Sequence, residues 1–565
     1  MSVNKQYLGY AGIAIVLSFV SCSLFGINWG WVDDILRGHV VFGTFSKANY
    51  YLQEFRDMPL EAQISMYPQR WFPNVNIHGL GFILFSLIAG FAMWMSAFKR
   101  GQIFRNTILG AIILLLVSST LHELTITRVT FMMLFAGTML FYRWRGKLSL
   151  LLSISLILMA VIQRMEIVFY AFPMMLTVVF WAKSAKGHVS WKQSVQLALW
   201  FTMCIAISFV LRNVFEKTYY SEHRSSSVKI HYMLDAQEGL AFQNPQLFAG
   251  MTEVEKVKLL GLSTWFFQDE KVYTSTYLEN VYVVFKENGL SFANSLKVEI
   301  GKAKYRYEFR LWKNWFWAFV LLSSAWLFWM LKLVWSKEVN PMIALLTGLT
   351  PLVFFCLVAG LFKLEDRVVL PLYLAYILFF VFLGPRFKKS SYIWFLLLFT
   401  PFFIERTYHM YQDKLDLNKE RVLKQDFIEE LKEFDADIFV YDLWTMTLIH
   451  DKPWDIVNLD KEKQVHVAYG EAWLNTLSGH KAYLTDLTGE NTFESFVNYL
   501  LENEKDVVLV LSSYRAEFLQ SYLTKVYDYD MVISPIEGDF AIENCNYSFT
   551  WSATEFNYYR IILNE

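Results

Sequence analysis

The sequence has 565 residues, of which 55% are hydrophobic and only 18% are charged. A soluble domain usually carries about 25% charged residues, so this composition argues against a wholly soluble protein. The net charge of −1 conceals an asymmetry: residues 411–565 contain 13 Lys and Arg against 29 Asp and Glu, while residues 1–410 are net positive, and so acidic a tail argues against nucleic-acid binding.

Eleven apolar runs follow one another along residues 1–410, most of them close to the roughly 20 residues that a helix needs to cross a bilayer. Basic side chains concentrate in alternate connections between the runs, which places those connections and the N-terminus in the cytoplasm. The outward side then receives a long loop, residues 212–313, and the C-terminal tail. The predicted runs are approximately 7–27, 78–98, 103–121, 125–142, 147–163, 167–182, 194–211, 314–335, 341–362, 368–384 and 391–405.

The tail begins with a polar helical stretch at 413–434, whose apolar residues recur at helical spacing. Short apolar strands then alternate with helical segments, an order typical of a small α/β domain. The predicted strands are Asp437–Tyr441, Val507–Leu511, Met531–Ile533 and Tyr559–Leu563, and the predicted helices are Phe493–Leu501 and Ser513–Leu523. The sequence therefore predicts a polytopic α-helical membrane protein of about eleven spans, residues 1–410, with a soluble extracytoplasmic α/β domain, residues 411–565.

Two adjacent carboxylates, Asp33 and Asp34, follow the first apolar run at the outward membrane interface. Carboxylates at this depth are costly unless they are paired or hydrated, which favours a functional role. One of them can take a proton from an attacking hydroxyl group. The structural alternative is a hydrated loop start in which Asp34 and Arg37 form an ordinary i,i+3 pair.

Four charges within five residues join the ninth and tenth apolar runs: Lys363, Glu365, Asp366 and Arg367. The cations can bind a lipid phosphate and neutralise its charge as it leaves. The structural alternative is a tight turn whose charged ends reach the interface. A turn needs only one or two such charges, so the four charges favour a functional role for this segment.

A third group of ionisable residues flanks the outward ends of the third to sixth runs: His122, Glu123, Arg128, Arg164 and Glu166, with Pro173 downstream. Arg128 and Arg164 lie close to or inside apolar segments, where an unpaired charge costs about 3 kcal/mol or more. They must therefore face partners or a wet cavity. Structural pairing with Glu123 or Glu166 is equally supported by the sequence.

The whole layout resembles that of the GT-C glycosyltransferases, membrane enzymes that use sugars linked to a lipid phosphate. In both, an acidic pair follows the first span and seven spans precede a long outward loop, and many members carry a soluble outer domain. The segment LFKLEDRVVLPLY, residues 361–373, is similar to the family's H-K-E-x-R-F-x-x-P-x-Y segment, with Phe362 where some relatives have histidine.

The resemblance implies an inverting transfer of a sugar from polyprenyl phosphate to a glycan, lipid or protein acceptor at the extracytoplasmic face. Asp33 or Asp34 would act as the general base or orient the acceptor, and the loop 212–313 would close over the site and exclude water. The residues that would bind the donor phosphate are Lys363, Arg367, Arg128 and Arg164. The supporting residues would be Arg37, Glu123, Glu166, Glu365 and Asp366. Many relatives that use monophosphate donors need no metal, so no cofactor is assigned and dependence on a divalent metal stays open.

Three other classes of function remain open. A polysaccharide polymerase or ligase also works at the outer face, and His223 and Arg224 in the long loop fit that class. A lipid or glycan transporter would place polar residues near mid-membrane and often shows repeated halves, whereas here the charges cluster at one face and no repeat is visible. A scaffold would use the acidic tail to bind a protein partner. The basic loops and the outward tail suit a bacterial inner membrane with a periplasmic domain.

Overall fold

The structure is a computed structural model of the chain. It describes residues 5–29, 60–143, 146–184, 190–215, 250–263, 266, 269–287, 315–361, 366–384, 387–434, 436–442, 445, 452–453, 464–468, 478–536 and 556–563. Five predicted site residues lie outside the described residues, namely Asp33, Asp34, Arg37, Lys363 and Glu365. The backbone but not the side chain is described for Glu166, Asp366 and Arg367.

A helix covers most of each of the eleven predicted apolar runs, because a long apolar segment satisfies its backbone N–H and C=O groups internally only as a helix. Three further helices, α2, α9 and α10 below, lie in the predicted outward loops. The helices up to residue 433 are α1 (Lys5–Phe25), α2 (Leu60–Gln69), α3 (Ile77–Ala97), α4 (Ile103–His122), α5 (Ile126–Arg143), α6 (Lys147–Gln163), α7 (Glu166–Ser184), α8 (Trp191–Phe215), α9 (Glu253–Ser263), α10 (Ser275–Glu287), α11 (Trp315–Trp335), α12 (Pro341–Leu361), α13 (Asp366–Leu383) and α14 (Lys389–Glu433).

Helix α14 differs from the prediction, which placed the last apolar run and the first helix of the tail in separate elements. The structure joins them into one helix of 45 residues. The intervening residues 406–412 contain neither glycine nor proline, so nothing in the local sequence ends the helix.

By length and composition, four helices among the described residues are long and apolar enough to cross a membrane. They are Ile77–Ala97, Ile103–His122, Trp191–Val214 and Ala318–Trp335. Shorter apolar helical segments lie at Gly9–Phe25, Lys147–Gln163, Pro341–Leu357 and Val368–Leu383. The coarse prediction, a helical protein with helices suited to a membrane and a small C-terminal sheet, is confirmed.

The chain forms two compact units, and the first is a helix bundle. Helix α13 packs against α4, α5 and α7 and is buried over most of its length. A Cβ atom on Gly137 of α5 would lie 2.8 Å from the carbonyl oxygen of Ser153 in α6, so only glycine permits the close approach of these two helices. The first unit comprises Met1–Trp31, Gly79–Arg212 and Asn294–Leu417.

The second unit contains a mixed five-stranded sheet in the order β2-β1-β3-β5-β4. Strands β1, β2 and β3 are parallel, and β5 is antiparallel to both β3 and β4. The four predicted strands coincide with β1, β3, β4 and β5, whereas β2 was not predicted. The elements are β1 (Ile438–Tyr441), β2 (Val465–Ala468), α15 (Ser478–Thr488), α16 (Phe493–Glu502), β3 (Val507–Ser512), α17 (Ser513–Val526), β4 (Met531–Pro535) and β5 (Phe556–Leu563). The second unit comprises Val32–His78, Asn213–Ala293 and Asn418–Glu565.

The described part of the long loop packs into the core of the sheet domain. Leu262, Phe266 and Tyr273 are fully buried in the same hydrophobic cluster as residues of β1, β3 and α17. The Phe266 ring lies 5.3 Å from that of Phe518 and 4.9 Å from that of Tyr522, centroid to centroid. Helices α9 and α10 are therefore structural parts of this domain. Closure of the loop over a site stays a prediction.

Candidate functional site

Basic side chains hold together the end of the bundle at which α3, α5 and α13 terminate. Arg105, at the start of α4, donates from Nη1 to the carbonyl of Ala97 and from Nη2 to that of Phe382, both at 2.9 Å. Arg143 donates to the carbonyl of Phe98 at 3.3 Å. Helix C-termini present unpaired carbonyls and a partial negative charge. These arginines donate hydrogen bonds to the carbonyls and offset the charge. Arg105 and Arg143 belong to connections that the sequence assigns to the cytoplasm.

The connection between α4 and α5 lies at the opposite end, because the 20 residues of α4 rise about 30 Å. This connection pairs with the backbone that follows α1. The amide of Leu124 donates to the carbonyl of Asn28 at 2.8 Å, and the amide of Asn28 donates to the carbonyl of Leu121 at 3.2 Å. Trp29 forms a parallel bridge with Leu124. These contacts fix the backbone on both sides of Glu123.

Glu123 forms an ion pair with Arg128, which lies in the first turn of α5 and is only 2% exposed. Arg128 also donates from Nη1 to the carbonyl of Ser119 at 2.9 Å. Burial by itself would raise the pKa of the Glu123 carboxyl, but the nearby Arg128 and Arg406 hold that pKa below its ordinary value. The buried arginine is therefore paired, as one of the two sequence interpretations expected. Binding of a donor phosphate by Arg128 stays a prediction.

Helix α14 brings two more ionisable side chains to this connection. Arg406 Nη2 lies 3.9 Å from Glu123 Oε1, and Asp413 Oδ2 lies 3.9 Å from His122 Nε2. Both residues of α14 are buried. We call the group formed by His122, Glu123, Arg128, Arg406 and Asp413 the Glu123 cluster.

Sequence reasoning missed Arg406 and Asp413 because it ended the last apolar helix at residue 405. A signal was present, since Arg406, His409 and Asp413 recur at intervals of three and four residues directly after that run. Such spacing places side chains on one face of a continued helix. Reading α14 through the polar residues would therefore have found them.

His122 is held in one tautomer by the end of α1. Its Nδ1 lies 3.0 Å from the carbonyl oxygen of Phe25, and because a carbonyl can only accept, Nδ1 carries the proton. The Nε2 atom faces Asp413 and has no hydrogen-bond partner among the described residues. Nε2 and one carboxylate oxygen each from Glu123 and Asp413 lie within 4.8 Å of one another. Such a nitrogen and two carboxylates are suitable ligands for a divalent metal.

Arg164 lies at the same end of the bundle as the Glu123 cluster. It is half-buried and donates from Nη1 to Thr127 Oγ1 at 2.5 Å, beside the start of α5. The neighbouring Gln163 accepts a hydrogen bond of 3.2 Å from Thr130 Oγ1. The described partner of Arg164 is thus the Thr127 hydroxyl group, and binding of a donor phosphate by Arg164 stays a prediction.

The start of α13 carries Asp366 and Arg367 of the predicted phosphate-binding segment. The far end of α13 is anchored by the hydrogen bond from Arg105 to the Phe382 carbonyl. Since α13 packs against α4 and α5, its first residues lie toward the end of the bundle that carries Glu123. The backbone thus brings the start of this segment toward the Glu123 cluster.

Comparisons of the chain with protein-family models, with curated proteins and with solved structures find no match. Its function is therefore inferred from its own residues and their geometry. The strongest such feature among the described residues is the Glu123 cluster, which gathers two arginines, two carboxylates and a histidine in the helix bundle.

Proposed function

We propose that the chain is an integral membrane glycosyltransferase with the GT-C layout. It transfers a sugar with inversion from polyprenyl phosphate to a glycan, lipid or protein acceptor. Its eleven apolar helices cross a bacterial inner membrane, with the Arg105 end of the bundle cytoplasmic and the Glu123 end periplasmic. The tail domain then lies on the periplasmic side, where its acidic surface can receive a protein partner.

The observation that carries this proposal is the position of the Glu123 cluster. Ionisable side chains buried at the end of apolar helices are costly and mark substrate or ion sites. Arg105 and Arg143 at the opposite end bind helix carbonyls, as basic residues of cytoplasmic loops do when they only anchor a bundle. The two ends therefore differ in chemistry among the described residues, and the Glu123 end gathers acids, arginines and a histidine.

The start of the predicted phosphate-binding segment supports the same end of the bundle. Asp366 is the first residue of α13, and α13 packs against α4 and α5 with its far end held by Arg105. The roles of Asp33, Asp34 and Lys363 in this proposal come from the sequence motifs alone.

In the proposed reaction, an acceptor hydroxyl oxygen attacks the anomeric carbon of the sugar and its proton passes to the carboxylate of Asp33 or Asp34. The bond between the anomeric carbon and the phosphate oxygen breaks, and its electron pair leaves with polyprenyl phosphate. Arg164, Lys363 and Arg367 stabilise the negative charge of the departing phosphate. Arg128 holds Glu123 ionised and in place.

The test uses the full chain reconstituted in liposomes with polyprenyl-phosphate donors that carry a labelled hexose or pentose, and with lipid-linked glycan acceptors. We expect the double variant Asp33→Asn/Asp34→Asn to lose transfer by about 100-fold or more, the usual contribution of a general base. The matched control is Asp437→Asn, an exposed carboxylate of the tail, which should transfer as the wild type does. Full activity of the double variant would remove the catalytic role of this pair.

A further inference from the structure

Two polar atoms of the Glu123 cluster face each other at a distance longer than a hydrogen bond. His122 donates from Nδ1 to the Phe25 carbonyl at 3.0 Å, so Nε2 is the ring atom left to bind a ligand. Nε2 faces Asp413 Oδ2 at 3.9 Å, too far for a hydrogen bond. A cation between this nitrogen and the carboxylate satisfies both buried atoms.

A third ligand atom converges on the same point. The three ligand atoms all lie within 4.8 Å of one another: His122 Nε2, one carboxylate oxygen of Glu123 and one carboxylate oxygen of Asp413. Metal–nitrogen and metal–oxygen bonds of about 2.1 Å place the ligands of one ion about 3 to 4 Å apart. The carboxylates need to move by only about 1 Å to reach that spacing. Their side chains, 24% exposed in Glu123 and 12% in Asp413, have the freedom to do so.

The surroundings of His122 are those of a metal ligand. A ligating histidine almost always donates its other ring N–H to a carbonyl or carboxylate, which fixes the ring and its tautomer, and the Phe25 carbonyl supplies that contact here. The imidazole itself is only 1% exposed. An unpartnered Nε2 in the described structure, aimed at two carboxylates, is therefore a preformed ligand.

We propose that His122, Glu123 and Asp413 bind one divalent transition-metal ion, such as Zn²⁺ or Mn²⁺. One imidazole and two carboxylates form a mixed nitrogen and oxygen set that suits these ions better than the all-oxygen sets typical of Mg²⁺ and Ca²⁺. The ion connects the end of α4 to α14. This inference does not depend on the proposed transferase activity, because metal binding is measured on the resting protein.

Arg406 limits the affinity of the site. Its Nη2 lies 3.9 Å from Glu123 Oε1, so a bound metal and a fixed positive charge share one carboxylate. Arg128 occupies the other oxygen of Glu123 and stays paired with it. Removing the charge of Arg406 should therefore strengthen metal binding, whereas a purely structural cluster would show no metal binding to strengthen.

The test measures Mn²⁺ binding to the purified, chelator-treated full chain in detergent by electron paramagnetic resonance, because Mn²⁺ has little affinity for the free cysteines Cys22, Cys204 and Cys356. We expect one saturable equivalent in the wild type. His122→Asn and Asp413→Asn should each weaken binding by at least about tenfold. The control is His480→Asn, a buried histidine of the sheet domain, and it should bind as the wild type does.

Folding is checked by the melting temperature of each variant without metal, which separates a lost ligand from a lost fold. Arg406→Gln should bind Mn²⁺ more tightly than the wild type. The proposal is overturned if the wild type binds no stoichiometric Mn²⁺, or if folded His122→Asn and Asp413→Asn bind as tightly as the wild type. Unchanged or weaker binding by folded Arg406→Gln would contradict the role of Glu123 as a ligand. Sugar transfer is not part of this readout, so the transferase proposal stands or fails separately.

Discussion

The sheet domain and the helix bundle each bury a carboxylate and a histidine, but they satisfy them in different ways. In the sheet domain, fully buried Asp442 accepts three hydrogen bonds from neutral donors. Its Oδ1 receives the amide of Thr445 at 2.7 Å, and its Oδ2 receives the amide and hydroxyl of Ser512, both at 3.0 Å. The Thr445 hydroxyl donates its one proton to the Val510 carbonyl at 2.7 Å. Asp442 thus ties the end of β1 to the end of β3.

In the bundle, Asp413 accepts no hydrogen bond among the described residues and faces His122 Nε2 at 3.9 Å. A carboxylate that is saturated by neutral donors has no capacity left for a ligand, and its role is structural. A carboxylate that accepts no hydrogen bond has that capacity. The difference shows that burial alone does not distinguish a structural acid from a functional one. The number of hydrogen bonds that the carboxylate oxygens accept does distinguish them.

The largest expected effect comes from removing the structural acid. Asp442→Ala leaves three buried donors without their acceptor and should destabilise the sheet domain by about 3 kcal/mol or more. Hydrogen–deuterium exchange of β1 and β3 in the full chain measures this loss. The control is Asp437→Asn, at an exposed position. It should change the free energy of opening, as measured by exchange, by less than about 0.5 kcal/mol. Equal protection in Asp442→Ala and the wild type would show that Asp442 is not structural.

A second effect concerns the buried histidine of the sheet domain. Burial lowers the pKa of His480 to about 4 from its ordinary 6.5. Between pH 6.5 and 4, His480 is therefore protonated in the unfolded chain but stays neutral in the folded domain. The stabilisation is complete above about pH 6.5 and falls by up to about 3 kcal/mol as the pH drops through this window.

The variant His480→Gln removes this titration. Its hydrogen–deuterium exchange in α15 and β3, corrected for intrinsic rates, should lose the part of the pH dependence that His480 provides. Wild type and variant would show the same slope of stability against pH if His480 made no contribution.

The smallest expected effect on stability belongs to the bundle. Asp413→Asn removes no hydrogen bond among the described residues, so the melting temperature of the metal-free chain should change little, by less than about 1 kcal/mol in stability. Differential scanning fluorimetry of the full chain in detergent measures it, with Asp442→Ala as the destabilised reference. A loss for Asp413→Asn as large as that for Asp442→Ala would mean that both acids are structural, and the comparison would fail.

The sequence predicted the helices of the bundle well because a long apolar run has few structures open to it. Arg105 and Arg143 were also assigned to the correct common end, since basic residues in alternate connections require it. The pairing of Arg128 with Glu123 was one of two interpretations, because sequence spacing shows that two charges can meet but not that they do.

What the sequence could not predict depends on contacts between distant segments. Asp413 meets His122 across almost 300 residues, through the packing of α14 on the bundle. Strand β2 has only four residues and is defined by its parallel pairing with β1. Helices α9 and α10 have apolar faces that a mobile loop or a domain core would equally explain, and only the structure shows Phe266 against Phe518.

The most direct test of the central claim asks which end of the bundle binds polyprenyl phosphate. A photoreactive polyprenyl phosphate is crosslinked to the full chain in liposomes, and the labelled peptides are mapped by mass spectrometry. We predict labelling at residues 121–128 and 163–167, competed by unlabelled polyprenyl phosphate and reduced in Arg164→Gln. Specific labelling at the Arg105 and Arg143 end, or labelling that unlabelled lipid does not compete, would contradict the account.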